Sequence, residues 1–173
     1  MTRNRPIGLE VVTVTGLALG AVFGIAGTIV QSPQLRQAFW GIDGVGLMVA
    51  SSLLAVRFLK AGNDCVAAGF LVFVVGQSFL ISGIAAGLVG MVPSFGAGVA
   101  LWATSLVMTS LPKAFPTWTR VVGILAALLF AIVAGRIFWG EQLLPTAAPL
   151  PSLGYPFLVL TFAGWAWTVL QKR

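Results

Sequence analysis

From Val66 to Val92 the chain runs for 27 consecutive residues without a charged side chain, and this run constrains the fold more than any other feature. As an α-helix it extends to roughly 40 Å, against about 30 Å of bilayer hydrocarbon. A helix of a soluble domain needs a polar face towards water, which this run lacks. It reads as a membrane span, with length left over for tilt or for a break near Gly87 and Gly90. Gln77, near its middle, is the only side-chain amide inside any apolar run of the chain.

The remaining composition agrees. Of 173 residues, 58% are hydrophobic and 8% charged, where soluble domains carry about 25% charged residues. No polar segment is long enough to enclose a separate core. One Cys and no His argue against a disulfide framework, a zinc site of the usual kind and bis-histidine haem, so no metal or cofactor is expected. A net charge of +6 brings nucleic acid to mind, but the basic residues fall in separated pairs between apolar runs rather than on one patch. No nucleic-acid partner is expected.

Taken in order, the apolar runs predict an all-α, polytopic membrane helix bundle of six transmembrane helices, a single membrane domain over 1–173. The spans fall at about 7–30, 42–59, 65–90, 95–111, 120–139 and 155–170. The first follows Arg3 and Arg5 and is longer than the roughly 7–15 residues of a signal-peptide core, so it reads as uncleaved. Asp43 is placed at the start of the second span and Asp64 at the start of the third, where a carboxylate suits the free N–H groups and the dipole. Thr119 is the expected cap of the fifth. Pro93 and the glycines after it are read as a tight turn between spans three and four.

Basic residues set the orientation. Alternating the loops puts Arg3, Arg5, Arg57, Lys60, Lys113, Arg120, Lys172 and Arg173 on one side and only Arg36 and Arg136 on the other. Both termini are therefore expected to be cytoplasmic, with short loops and strong basic asymmetry pointing to a bacterial cytoplasmic (inner) membrane. Trp118, Trp165 and Trp167 fall near the cytoplasmic boundary and Trp40, Trp139 and Tyr155 near the outer one, as interfacial belts do. Trp102 falls mid-span.

Small residues provide the packing signal, since lipid offers helices little hydrophobic reason to associate. Gly16, Gly20 and Gly24 form a GxxxGxxxG ridge on the first span, expected to seat another helix of the chain, with self-association as the alternative; Gly83 and Gly87 repeat the spacing on the third. Counting outward from the Pro93 turn places Trp102 level with Gly83 and Thr109 level with Gln77.

The candidate polar residues are few. Glu10, Gln77, Ser82, Ser105 and Thr109 form the candidate intramembrane set: Glu10 as a carboxylate in reach of Arg3 or Arg5 or as a coupling site, Gln77 as an interhelical hydrogen-bonder to Ser105, Thr109 or Ser78. Arg36, Asp43, Arg136 and Glu141 form a candidate outer mouth, because an Arg, a Phe-Trp-Gly and an acid recur at 36–43 and 136–141. The bland explanation is an interfacial anchor used twice. The Pro-rich segment 144–156 either bridges two helices or lies back across the bundle as a lid. Cys65 is read as a small buried hydrophobe.

No GxxxxGK[ST], GxSxG or HExxH occurs, and without His there is no Ser-His pair, so an enzyme is not expected. Two functions are left. One is an accessory or assembly subunit or lipid-binding scaffold, with membrane lipid and other membrane subunits as partners. The other is a small oligomeric transporter or channel for an uncharged or weakly polar solute.

Overall fold

The computed structural model of the chain describes residues 7–171, and Arg3, Arg5, Lys172 and Arg173 lie outside them. The described elements are all helical: α1 (Ile7–Ile29), α2 (Pro33–Lys60), α3 (Asp64–Gly83), a 3-10 turn (Ile84–Ala86), the single turn α4 (Gly87–Gly90), α5 (Val92–Ser110), α6 (Thr117–Phe138) and α7 (Gly154–Gln171). Five stretches are long and apolar enough to cross a membrane: α1, α2, Asp64–Gly90, α5 and α6. The protein is an integral membrane helix bundle.

Three helix starts differ from the sequence expectation, those of α2, α5 and α6. The second helix begins ten residues before Asp43. Ser32 caps it, accepting the Leu35 N–H at 3.4 Å, and Pro33 occupies the first turn, where its missing N–H costs nothing. Asp43 therefore lies roughly 15 Å inside α2 and caps nothing. Similarly, Pro93 sits in the first turn of α5 rather than in a loop. The reversal occurs earlier, over 84–91, where Gly87 has φ +73°, a conformation that favours glycine.

Moving that turn changes the depth register. Gly76, not Gly83, faces Trp102, and Gly69, not Gln77, faces Thr109. Gly83 instead meets Met91 and Ser94. The cap of α6 also shifts, to Pro116, which leaves Thr119 buried in the first turn against Gly164.

Six helices close into a ring. Each of α1, α2, α3, α5 and α6 packs on the next long helix, and α7 packs on both α6 and α1. On α1 the glycine ridge faces α2, with Gly16 against Gly46, Gly20 against Leu47 and Gly24 against Asp43. Aromatic rings fill the centre. Trp165 meets Phe70 at 4.7 Å, Phe162 at 5.5 Å and Phe73 at 5.8 Å between centroids, and Phe73 stacks on Trp102 at 5.4 Å. Trp165 is thus a core residue, not part of an interfacial belt; Trp118, Trp139 and Trp167 are the exposed tryptophans.

Candidate functional site

Asp43 and Gln77 meet inside the ring, in the half carrying the α1–α2, α3–α5 and α6–α7 connections. Gln77 Nε2 donates to Asp43 Oδ2 at 3.3 Å, with Gln77 1% and Asp43 8% exposed. Residues 43 and 77 are 34 apart in sequence, and the contact exists only because α2 is continuous through Asp43 and packs on α3. Small residues permit the approach: Gly44 lies against Gln77 and Ile81, and Gly24 faces the Asp43 carboxyl.

This pair lines a cavity of about 60 Å³ that reaches into the bundle from that end. Its floor is Trp102 and Phe162, the top of the aromatic core, while Trp40 and Tyr155 flank the polar pair and Pro145 covers part of the entrance. The segment 139–153 does lie back over the helices: Leu143 is buried, and Pro145 O accepts the Tyr155 hydroxyl at 2.8 Å. Sequence alone left open whether this segment bridges or covers; the Tyr155 bond is what folds it inward. Trp40 Nε1 donates to Gly24 O at 3.4 Å, and the Thr28 hydroxyl donates to Ile25 O at 2.7 Å. Gln77 Oε1 and Trp102 Nε1 are buried without a hydrogen-bond partner among the described residues. Buried polar atoms are nearly always matched, so two orphans on one cavity are unusual.

The other candidates do not converge here. Ser105 and Thr109 are buried on α5, about one and two turns beyond the cavity-lining Trp102, the Thr109 hydroxyl donating to Ser105 O at 2.9 Å within its own helix. Neither is a partner of Gln77. Ser82 is exposed and its hydroxyl donates to Phe79 O. Glu10 lies at the opposite end of the bundle in an ion pair with Arg57 at 3.6 Å. Cys65 is exposed rather than buried.

Nor do Arg36, Asp43, Arg136 and Glu141 form one mouth. Arg136 Nε donates to Glu141 Oε2 at 2.6 Å in an exposed two-pronged pair at the end of α6. Arg36 reaches back to α1, with Nε donating to Gly27 O at 3.2 Å and Nη2 to Val30 O. The two similar motifs have different backbones: Phe39 and Trp40 sit in mid-helix, whereas Trp139 ends α6 and Gly140 has φ +98°.

Arg36 has a counterpart that sequence reading missed. Arg120 donates from Nε to Ser110 O at 2.7 Å and from Nη2 to Leu111 O at 2.9 Å. Each arginine is the fourth residue of its helix and satisfies carbonyls that the preceding helix leaves open at its end. The legible signal is an Arg three residues after a helix-starting Pro or Thr. Arg36→Met is accordingly expected to lower stability by about 1–3 kcal/mol, measured by denaturation in mixed micelles. A purely interfacial anchor predicts no change in that assay.

Comparison with known proteins returns no match: no family model, curated protein or solved structure is similar to the chain. What the fold and site define is a class, a membrane helix ring with a small cavity in one half and an acid–amide pair on its wall.

Proposed function

We propose that this is a non-catalytic protein of a bacterial cytoplasmic membrane that binds a small, largely apolar molecule in the Asp43–Gln77 cavity and carries it across the bilayer. In this reading α7 is the sixth crossing, and both termini are cytoplasmic, as the basic residues of the even-numbered loops favour. The cavity then faces outward.

One observation carries the carrier reading over a passive scaffold: the cavity is one-ended. Its polar pair lies in one half of the ring, and Trp102 and Phe162 on its wall both pack on Phe73 of the aromatic core, an arrangement that suits one state of an alternating-access cycle. A pore needs a continuous path, and the aromatic core interrupts it. A lipid-binding or accessory role is the second reading. It is favoured by the shallow apolar groove between α1 and α2 along Val12, Gly16, Ile42 and Gly46.

Thiol accessibility tests both. In a Cys65→Ser background, Thr28→Cys on the cavity wall is expected to react with a membrane-impermeant maleimide added outside intact cells. Lys113→Cys is expected to react only from the cytoplasmic side. Thr109→Cys, below the aromatic floor, is expected to react from the cytoplasmic side of inverted vesicles if the ring opens there. Protection of Thr109→Cys under all conditions favours the scaffold, and outside labelling of Lys113→Cys removes the orientation.

A further inference from the structure

We infer that the cavity recognises a protonated primary amine on a short apolar stem. This ligand class presupposes the binding role proposed above and adds the chemistry of the head group. It rests on what Asp43 lacks. A carboxylate taken out of water is costly unless a cation and hydrogen bonds compensate it, and the hydrogen bond it receives among the described residues is from the Gln77 amide. No Lys or Arg lines the cavity. Among the described residues, the two basic ones at that end are engaged elsewhere, Arg36 with the α1 carbonyls and Arg136 with Glu141.

Gln77 Oε1 is the second observation. It is a buried acceptor with no donor among the described residues, on the same side chain that holds Asp43. Two acceptors side by side call for a group with several N–H donors and positive charge. An ammonium has three donors and one charge, and the compact head matches a cavity of about 60 Å³.

The walls fit the same ligand. Trp40, Phe95, Trp102, Tyr155 and Phe162 present aromatic surface around the acid, and ring faces attract ammonium groups, the more so out of water. Leu47, Leu80 and Leu158 supply the apolar lining a stem requires. An ammonium leaves the Trp102 Nε1 donor unmatched, which a hydroxyl or carbonyl beside the amine would complete. An uncharged solute, the class expected from sequence, suits Asp43 only as the neutral acid, whereas an ammonium supplies the counter-charge that the carboxylate needs.

Three probes of equal length separate the possibilities: hexylammonium, 1-hexanol and hexyltrimethylammonium. Binding to the purified full chain in zwitterionic nanodiscs is read from tryptophan fluorescence, with empty nanodiscs subtracted. Hexylammonium is expected to bind saturably and at least about tenfold more tightly than either of the others, because hexanol lacks the charge and the trimethyl head lacks the donors. Asp43→Asn is expected to remove that preference, bringing hexylammonium down to the affinity of hexanol, and an unchanged unfolding midpoint in mixed micelles reports that the variant's ring is intact. Equal or tighter binding of hexanol overturns the amine but leaves a binding cavity standing. Equal or tighter binding of the trimethyl probe overturns the primary-amine assignment, as does Asp43→Asn binding hexylammonium like the parent. Saturable binding of none of the three overturns both the amine and the binding role.

Discussion

Trp165→Ala is expected to lower the stability of the bundle by about 3–5 kcal/mol, measured by denaturation of the purified protein in mixed micelles. The indole is 1% exposed at the centre of the ring and touches four aromatic side chains, Phe70, Phe73, Phe115 and Phe162. In a membrane the usual transfer contribution is small, because lipid tails are as apolar as the protein interior. What the substitution removes is close packing: the surrounding rings come from α3, α7 and the α5–α6 connection, and they cannot all collapse into the space. Each lost contact is small, but a buried indole makes dozens of them. Trp139, 94% exposed at the end of α6, is the control, and Trp139→Ala is expected to stay within about 0.5 kcal/mol. Similar losses at both positions would show that the ring has no packed centre.

The second large effect is expected at Gly16. A Cβ there would lie inside contact distance of the Gly46 carbonyl oxygen and 2.9 Å from Ala50 Cβ. Because the obstacle is backbone, no side-chain rotation relieves it, and α1 must move off α2. Overpacking of this kind costs about 1–3 kcal/mol, and Gly16→Val is expected at or above the upper end. The displacement has a functional consequence too. Gly20 and Gly24, one and two turns further along α1, line the cavity opposite Asp43, so Gly16→Val is expected to weaken hexylammonium binding as well as stability. Gly135 supplies the contrast. It sits in α6 with open space where a Cβ would be, and Gly135→Ala is expected to stabilise by about 0.5–1 kcal/mol through helix propensity alone. A Gly16→Val protein as stable as the parent would mean that α1 and α2 do not cross at these glycines.

Much of the architecture was legible because membrane spans obey a simple physical rule. The uncharged run at 66–92, the apolar runs around it and the small-residue ridge on α1 follow from hydropathy and spacing, both local properties. The break after Gly83 was legible as spare length near Gly87 and Gly90. The outer mouth was not, although its residues were named, since nothing in a sequence says whether two arginines face one opening or cap two different helices.

Asp43 marks the boundary between the two kinds of knowledge. Its neighbours in sequence made it look like a helix start, and a cap is what an acid before an apolar run usually is. Ser32 and Pro33 began the helix ten residues earlier, and that single local event carried the carboxyl into the ring and beside Gln77. By itself the sequence determined that this chain is a set of lipid-soluble helices, because each backbone and side-chain choice along an apolar run answers to the bilayer, residue by residue. Only the tertiary structure decided which polar atoms meet. The Asp43–Gln77 contact, the aromatic floor and the cover over the cavity each join residues from helices distant in the chain, and the phase of every helix against its neighbour is set by packing around the whole ring rather than by any one segment.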